Sequence, residues 1–75
     1  TAQDPIEVRS IEIRRELYIK SIGQILSYSE LLPEYYYQHG NIEVVEKGII
    51  YAEEDKMCFK LAERYGISLH PVDYL

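Results

Sequence analysis

The stretch PIEVRSIEIR, Pro5 to Arg14, decides how this chain begins to fold. Its first half, Ile6-Glu7-Val8-Arg9, alternates apolar and charged residues with the period of a half-buried β-strand. Ile11-Glu12-Ile13-Arg14 alternates too, but with the opposite parity. Successive side chains of one strand point to opposite faces, so a single strand would set Ile6 and Val8 against Ile11 and Ile13. The pattern therefore predicts a bulge or a break near Ser10, with a strand over about 5–10, and leaves 11–14 open. Ser10 also suits the N-cap of a helix beginning soon after it.

Helical spacing takes over from Arg14 or Arg15 and runs to Leu32. Tyr18, Ile22, Ile25, Ser29 and Leu32 recur at four- and three-residue intervals, and Ile19 and Leu26 widen that face. Pro33 disfavours helical backbone at Leu32 and ends or kinks the helix there. Glu34 to Gln38 supplies at most one further turn before His39-Gly40-Asn41 breaks the chain. Lys47-Gly48-Ile49-Ile50-Tyr51-Ala52 reads as a short buried strand. Glu53, Glu54 and Asp55 open a second helix, where negative charge suits the positive end of the dipole. Cys58, Leu61, Ala62 and Tyr65 form its buried stripe, and Gly66 followed by Ile67 makes its C-cap. Ser68-Leu69-His70 begins a last strand, placed at an edge by Pro71. The expected fold class is α/β: a small mixed or parallel sheet in strand–helix–strand–helix–strand order.

Composition sets outer limits. The 75 residues allow one small α/β domain, near the size where core burial only just offsets chain entropy. A single cysteine, Cys58, excludes an internal disulfide and a cysteine-built zinc site. No apolar run approaches the roughly 18 residues of a membrane span, so a cytoplasmic protein without a membrane partner is expected. The first residue is Thr1 and the only methionine is Met57, which reads as a processed or excised piece of a longer domain.

The net charge of −5 argues against coating nucleic acid by bulk electrostatics. Residues 1–20 balance four bases (Arg9, Arg14, Arg15, Lys20) against four acids, and residues 21–75 carry the whole excess. Phosphate contacts are therefore expected from the N-terminal third, unless those charges simply solvate a surface.

A strand bearing Glu7-Val8-Arg9, followed by a helix bearing Gln24-Ile25-Leu26-Ser27-Tyr28, resembles the C-terminal half of the PD-(D/E)XK nuclease superfamily. The match is to its QxxxY-bearing branch. Gly48 to Leu69, GIIYAEEDKMCFKLAERYGISL, is similar to the strand–helix–strand ending that many such domains share. The resemblance implies a restriction-endonuclease-like core half and hydrolysis of DNA phosphodiester bonds. It implies Mg²⁺ or Mn²⁺ held by Glu7 as the strand carboxylate, activating a water and stabilising charge on the phosphate. Gln24 and Tyr28 would orient the site or touch the nucleic-acid backbone.

Two departures qualify that set. Arg9 stands where the family has lysine, and an arginine does not accept a proton near neutral pH. The acid that the family carries on an earlier strand has no counterpart, because Asp4 is too close to Glu7. Lys20, four residues before Gln24 and eight before Tyr28, shares their helical face and is the candidate for a relocated lysine; otherwise it pairs with Glu16. The expected catalytic residues are Glu7, Lys20, Gln24 and Tyr28, with Glu7 as metal ligand and Arg9, Arg14 and Arg15 as nucleic-acid contacts.

Other residues have plainer readings beside the functional ones. Tyr28 is also a candidate boundary tyrosine with a buried ring and a wet hydroxyl. Tyr35-Tyr36-Tyr37 suits base stacking, but without an adjacent basic cluster it suits packing or an interface better. His39 and His70 lack metal-ligand spacing. Cys58 lies on the second helix's buried stripe and reads as core. Two function classes follow: a metal-dependent nuclease or nuclease-derived domain, and a non-catalytic interaction or dimerisation domain using the tyrosines and an exposed sheet edge. In a third arrangement a homodimer, or a preceding N-terminal segment, completes half a site.

Overall fold

A computed structural model describes residues 5–35 and 41–75. The elements are β1 (Ile6–Glu16), α1 (Ile19–Tyr35), β2 (Ile42–Glu53), α2 (Lys56–Arg64) and β3 (Ile67–Pro71). The three strands form one parallel sheet in the order β1-β2-β3, with β2 central. This is the α/β order expected from the sequence, in its all-parallel form. No helix among the described residues is long and apolar enough to cross a membrane.

Where β1 was expected to break, it does not. It is one continuous strand of 11 residues, and its even positions (Val8, Ser10, Glu12, Arg14) are consistently more buried than the odd ones between them. An irregularity does fall at Val8/Arg9, but the extra residue belongs to the neighbouring strand. Val8 pairs with Val44 and Arg9 with Glu46, leaving Val45 as a bulge in β2. The parity conflict read in β1 is thus real: Ile11 and Ile13 stay on the outward face, and Ile13 is 61% exposed.

Pairing with β2 carries β1 past Ser10 to Glu16, and Leu17 N–H still donates to the Glu53 carbonyl. That ladder postpones α1 to Ile19, instead of the start at Arg14 or Arg15 that the periodicity suggested. β2 likewise begins at Ile42 rather than Lys47, because its first residues pair with Ile6 to Val8.

The core lies on one side of the sheet. Ile49 and Tyr51 of β2 cluster with Leu17, with Ile22 and Ile25 of α1, with Cys58 and Ala62 of α2, and with Ile67 of β3. Both helices therefore cover the same face, and they touch each other. Along α1 the buried positions are Ser21, Ile22, Ile25 and Ser29, while Ile19 and, just before the helix, Tyr18 stay exposed. Ser29 satisfies its buried hydroxyl by donating to the Ile25 carbonyl at 2.7 Å. The helix also runs through Pro33 to Tyr35. A proline removes its own N–H, hence one helical bond to the carbonyl four residues back, but not the backbone beyond it.

At α2 the acids do what their charge suggests, shifted by a residue or two. Glu53 ends β2, and Asp55 is the N-cap, accepting from the Met57 N–H at 3.0 Å. Gly66, at φ 66°, makes the left-handed exit that a residue with a Cβ adopts poorly. Tyr65, expected on the buried stripe, is exposed at the C-cap instead.

Two outcomes test this one-sided core. Ile49 is 0% exposed and Ile13 is 61% exposed, so in urea titrations Ile49→Ala should lower unfolding free energy by about 2–4 kcal/mol. Ile13→Thr should stay within roughly 0.5 kcal/mol, and equal costs would contradict the assignment of faces. Burial, helped by the Glu54 carboxylate, raises the Tyr51 phenol above its ordinary value. The folded state thus holds that proton more tightly than the unfolded chain. Its contribution is intact below about pH 10 and is lost as pH rises through the raised folded value. Tyr51→Phe should flatten the alkaline fall in stability, and an unchanged alkaline limb would rule out this origin.

Candidate functional site

Register brings the chemistry-bearing residues of β1 under α1. Glu12 stands opposite Ile49 and Arg14 opposite Tyr51, so both side chains leave the strand on the face that the helices cover. Arg14 reaches back along its own strand, donating from Nε and Nη2 to Glu12 Oε1 at 3.1 and 2.7 Å. The same Nη2 donates to Gln24 Oε1, tying the edge strand to the second turn of α1. Glu12 is almost covered (13% exposed side chain) and Arg14 partly so (33%). Charge-assisted bonds of this kind are about twice as strong as neutral ones, and partial burial protects them from screening.

The electrostatics follow. Glu12 raises the Arg14 guanidinium pKa, first through the hydrogen bond and then through its charge; burial opposes this, while Tyr18 and Tyr28 add to it. Both tyrosines therefore lie within electrostatic reach of Arg14, with the Tyr28 ring half exposed at 54%. Among the described residues, Glu12 Oε2 and Ser21 Oγ are buried without a hydrogen-bond partner. Ser21 sits one turn before Gln24. The cluster thus offers a fixed cation, a carboxylate with one free oxygen, an amide and a phenol at a solvent boundary.

The expected site residues are only partly brought together. Gln24 is hydrogen-bonded to Arg14, and Tyr28, one turn further along α1, lies within electrostatic reach of it. Lys20 is exposed one turn earlier on α1 and makes no ion pair among the described residues, with Glu16 or any other. Glu7 is exposed on the outward face of β1, seven residues and roughly 23 Å of extended strand from Arg14. The three arginines do not form one basic surface. Arg9 pairs with Glu46 at 3.3 Å on the outward face, and Arg15 pairs loosely with Glu53 at 3.9 Å.

Glu12 is not among the residues expected from the sequence, yet it is the carboxylate that the structure sets beside Arg14. The signal was present, because Glu12-Ile13-Arg14 repeats the Glu-x-Arg pattern of Glu7-Val8-Arg9. Only the length of β1 reveals which copy faces the helix.

Among the described residues no group of three His, Cys, Asp or Glu side chains could hold a metal ion. In the cluster itself, Glu12 is already engaged by a guanidinium. These residues do not fit an Mg²⁺ or Mn²⁺ site formed by one chain. His70 is instead tied to Glu46 on the outward face, 3.4 Å apart. Cys58 is core, its thiol pushed up by burial and by Asp55. A surface cavity of about 330 Å³ on α2, lined by Lys56, Met57 and Lys60, shares no residue with the cluster. The Tyr36–His39 segment lies outside the described residues, as does the side chain of Tyr35. No family model matches this chain, and neither a curated protein nor a solved structure does.

A double-mutant cycle tests the pair. Arg14→Met leaves a nearly buried carboxylate uncompensated, so it should lower the melting temperature more than Glu12→Gln does. The combined variant should lose less than the sum of the two single losses. Additive losses would mean that the two side chains do not interact.

Proposed function

We propose that this chain is a nuclease-derived domain that acts on the DNA phosphodiester backbone through Glu12, Arg14, Gln24 and Tyr28. The observation that supports it is the hydrogen-bonded link from the strand Glu12-x-Arg14 to Gln24 of the helix, one turn before Tyr28. The nuclease resemblance rests on Glu7 and Arg9; Glu12 and Arg14 repeat the same Glu-x-Arg spacing beside Gln24. Arg14 serves as a planar donor to phosphate oxygens, and Glu12 fixes its orientation. Gln24 and the Tyr28 hydroxyl position the strand alongside. Arginine is the wrong group to take a proton from water, so Arg14 is a binding residue.

A second reading, a non-catalytic interaction domain on the same scaffold, is favoured by a different observation. Arg9 and Arg15 are each answered by a glutamate, leaving no broad basic surface.

Fluorescence anisotropy with single- and double-stranded oligonucleotides at low salt separates the two. Binding should weaken with added salt and fall roughly tenfold in Arg14→Met, the cost of one lost charge-assisted contact. Glu7→Ala should leave it unchanged. The absence of any binding, or a loss in Glu7→Ala that matches Arg14→Met, would overturn the assignment. Incubation with Mn²⁺ or with chelator in the same samples reports whether binding leads to cleavage.

A further inference from the structure

The outer edge of β1 pairs with no strand among the described residues. At 11 residues it is long for an exposed edge, and it lacks two of the usual blunting devices: it contains no proline, and the nearby bulge residue belongs to β2. What it does carry is a charge order that complements itself. On the outward face the sequence is Glu7, Arg9, Ile11, Ile13, Arg15.

We propose that two copies of this chain pair their β1 strands antiparallel, in the register centred on Ile11, to form a continuous sheet across a two-fold axis. In that register every residue from Ile6 to Glu16 has a partner. Glu7 faces the partner's Arg15 and Arg15 faces the partner's Glu7, giving two ion pairs that close the ends of the outward face. Ile11 meets the partner's Ile11 on the axis, and Ile13 lies under the aliphatic stem of the partner's Arg9. Ile11 and Ile13, 40% and 61% exposed on each chain, are covered by the pairing.

The helix-covered face provides an independent observation. There the same register sets Ser10 opposite the partner's Glu12, with Cβ atoms about 5 Å apart. Glu12 Oε2 is buried without a hydrogen-bond partner among the described residues, and a serine hydroxyl is a donor within that reach. Neighbouring registers do worse. Centring on Glu12 sets Arg9 against the partner's Arg15 and Glu12 against its own copy, both like-charge contacts. Centring on Ser10 faces Glu7 with the partner's Ile13 and makes no ion pair on the outward face. The inference does not rest on the proposed function, although it places a second copy beside the Glu12 carboxylate.

Sedimentation equilibrium on the full 75-residue chain tests it, with circular dichroism confirming that each variant folds. The wild type should approach twice its 8.8 kDa mass as concentration rises. Glu7→Arg and Arg15→Glu should each weaken the dimer about tenfold, because each turns two attractive pairs into repulsive ones. The combined Glu7→Arg, Arg15→Glu variant should regain wild-type association, which a merely structural effect of either change would not produce. Mild oxidation should cross-link Ile11→Cys but not Ile13→Cys, whose thiols would sit about 13 Å of strand apart. A monomer at every concentration would overturn the proposal. So would a dimer that the charge swap fails to restore or that cross-links through position 13.

Discussion

Strict two-residue alternation along β1, unbroken from Ile6 to Glu16, is the constraint on which the arrangement depends. It sends Glu12 and Arg14 under α1 and turns Glu7, Arg9, Ile11 and Ile13 to the other side. A bulge in β1 itself would have exchanged the two sets. Placing the extra residue at Val45 in β2 lets the central strand change phase while β1 does not. Ile42 and Val44 precede the bulge, Lys47, Ile49 and Tyr51 follow it, and all five share the helix side. One inserted residue reconciles the two halves of the central strand with one covered face.

That covered face carries nearly all the apolar burial. Parallel strands are normally buried on both faces, so Ile11 and Ile13 in solvent mark an unusual surface for this sheet type. A chain of this size gains only a marginal net stability from a single core. Ile25, Ile49 and Cys58 are its largest fully buried apolar side chains, and α2 is held to it by Cys58 and Ala62, one turn apart.

Much of this was legible in the residues. The order of elements, the parallel pairing, the edge position of β3, the Asp55 region as a helix start and Gly66 as its end each rest on a local rule that the fold obeys. The misplacements share a cause: they occur where a tertiary partner outweighs a local preference. Ser10 is a good cap, yet the β2 ladder claims it. Pro33 discourages helix before it, yet α1 continues. Tyr65 fits the stripe by spacing, yet the helix has ended. The candidate site suffered most from the misplaced end of β1. Glu7-Val8-Arg9 and Glu12-Ile13-Arg14 are indistinguishable as patterns, and the choice between them depends on a face that only the full length of β1 defines. Gln24 and Tyr28 share one side of α1 because helical spacing fixes it whatever β1 does.

Among the described residues, Arg14 is the side chain whose hydrogen bonds join β1 to α1. Its hydrogen bonds to Glu12 and Gln24 distinguish it from Arg9 and Arg15, whose ion pairs are largely exposed and worth little. Solvent exchange of the arginine Nε–H protons, followed by nitrogen-edited NMR, examines that distinction directly. A slowly exchanging Arg14 Nε–H beside fast-exchanging Arg9 and Arg15 is the expected result. Equal, fast exchange at all three would mean that Glu12 and Arg14 do not face the helix together, and the site built on them would fall.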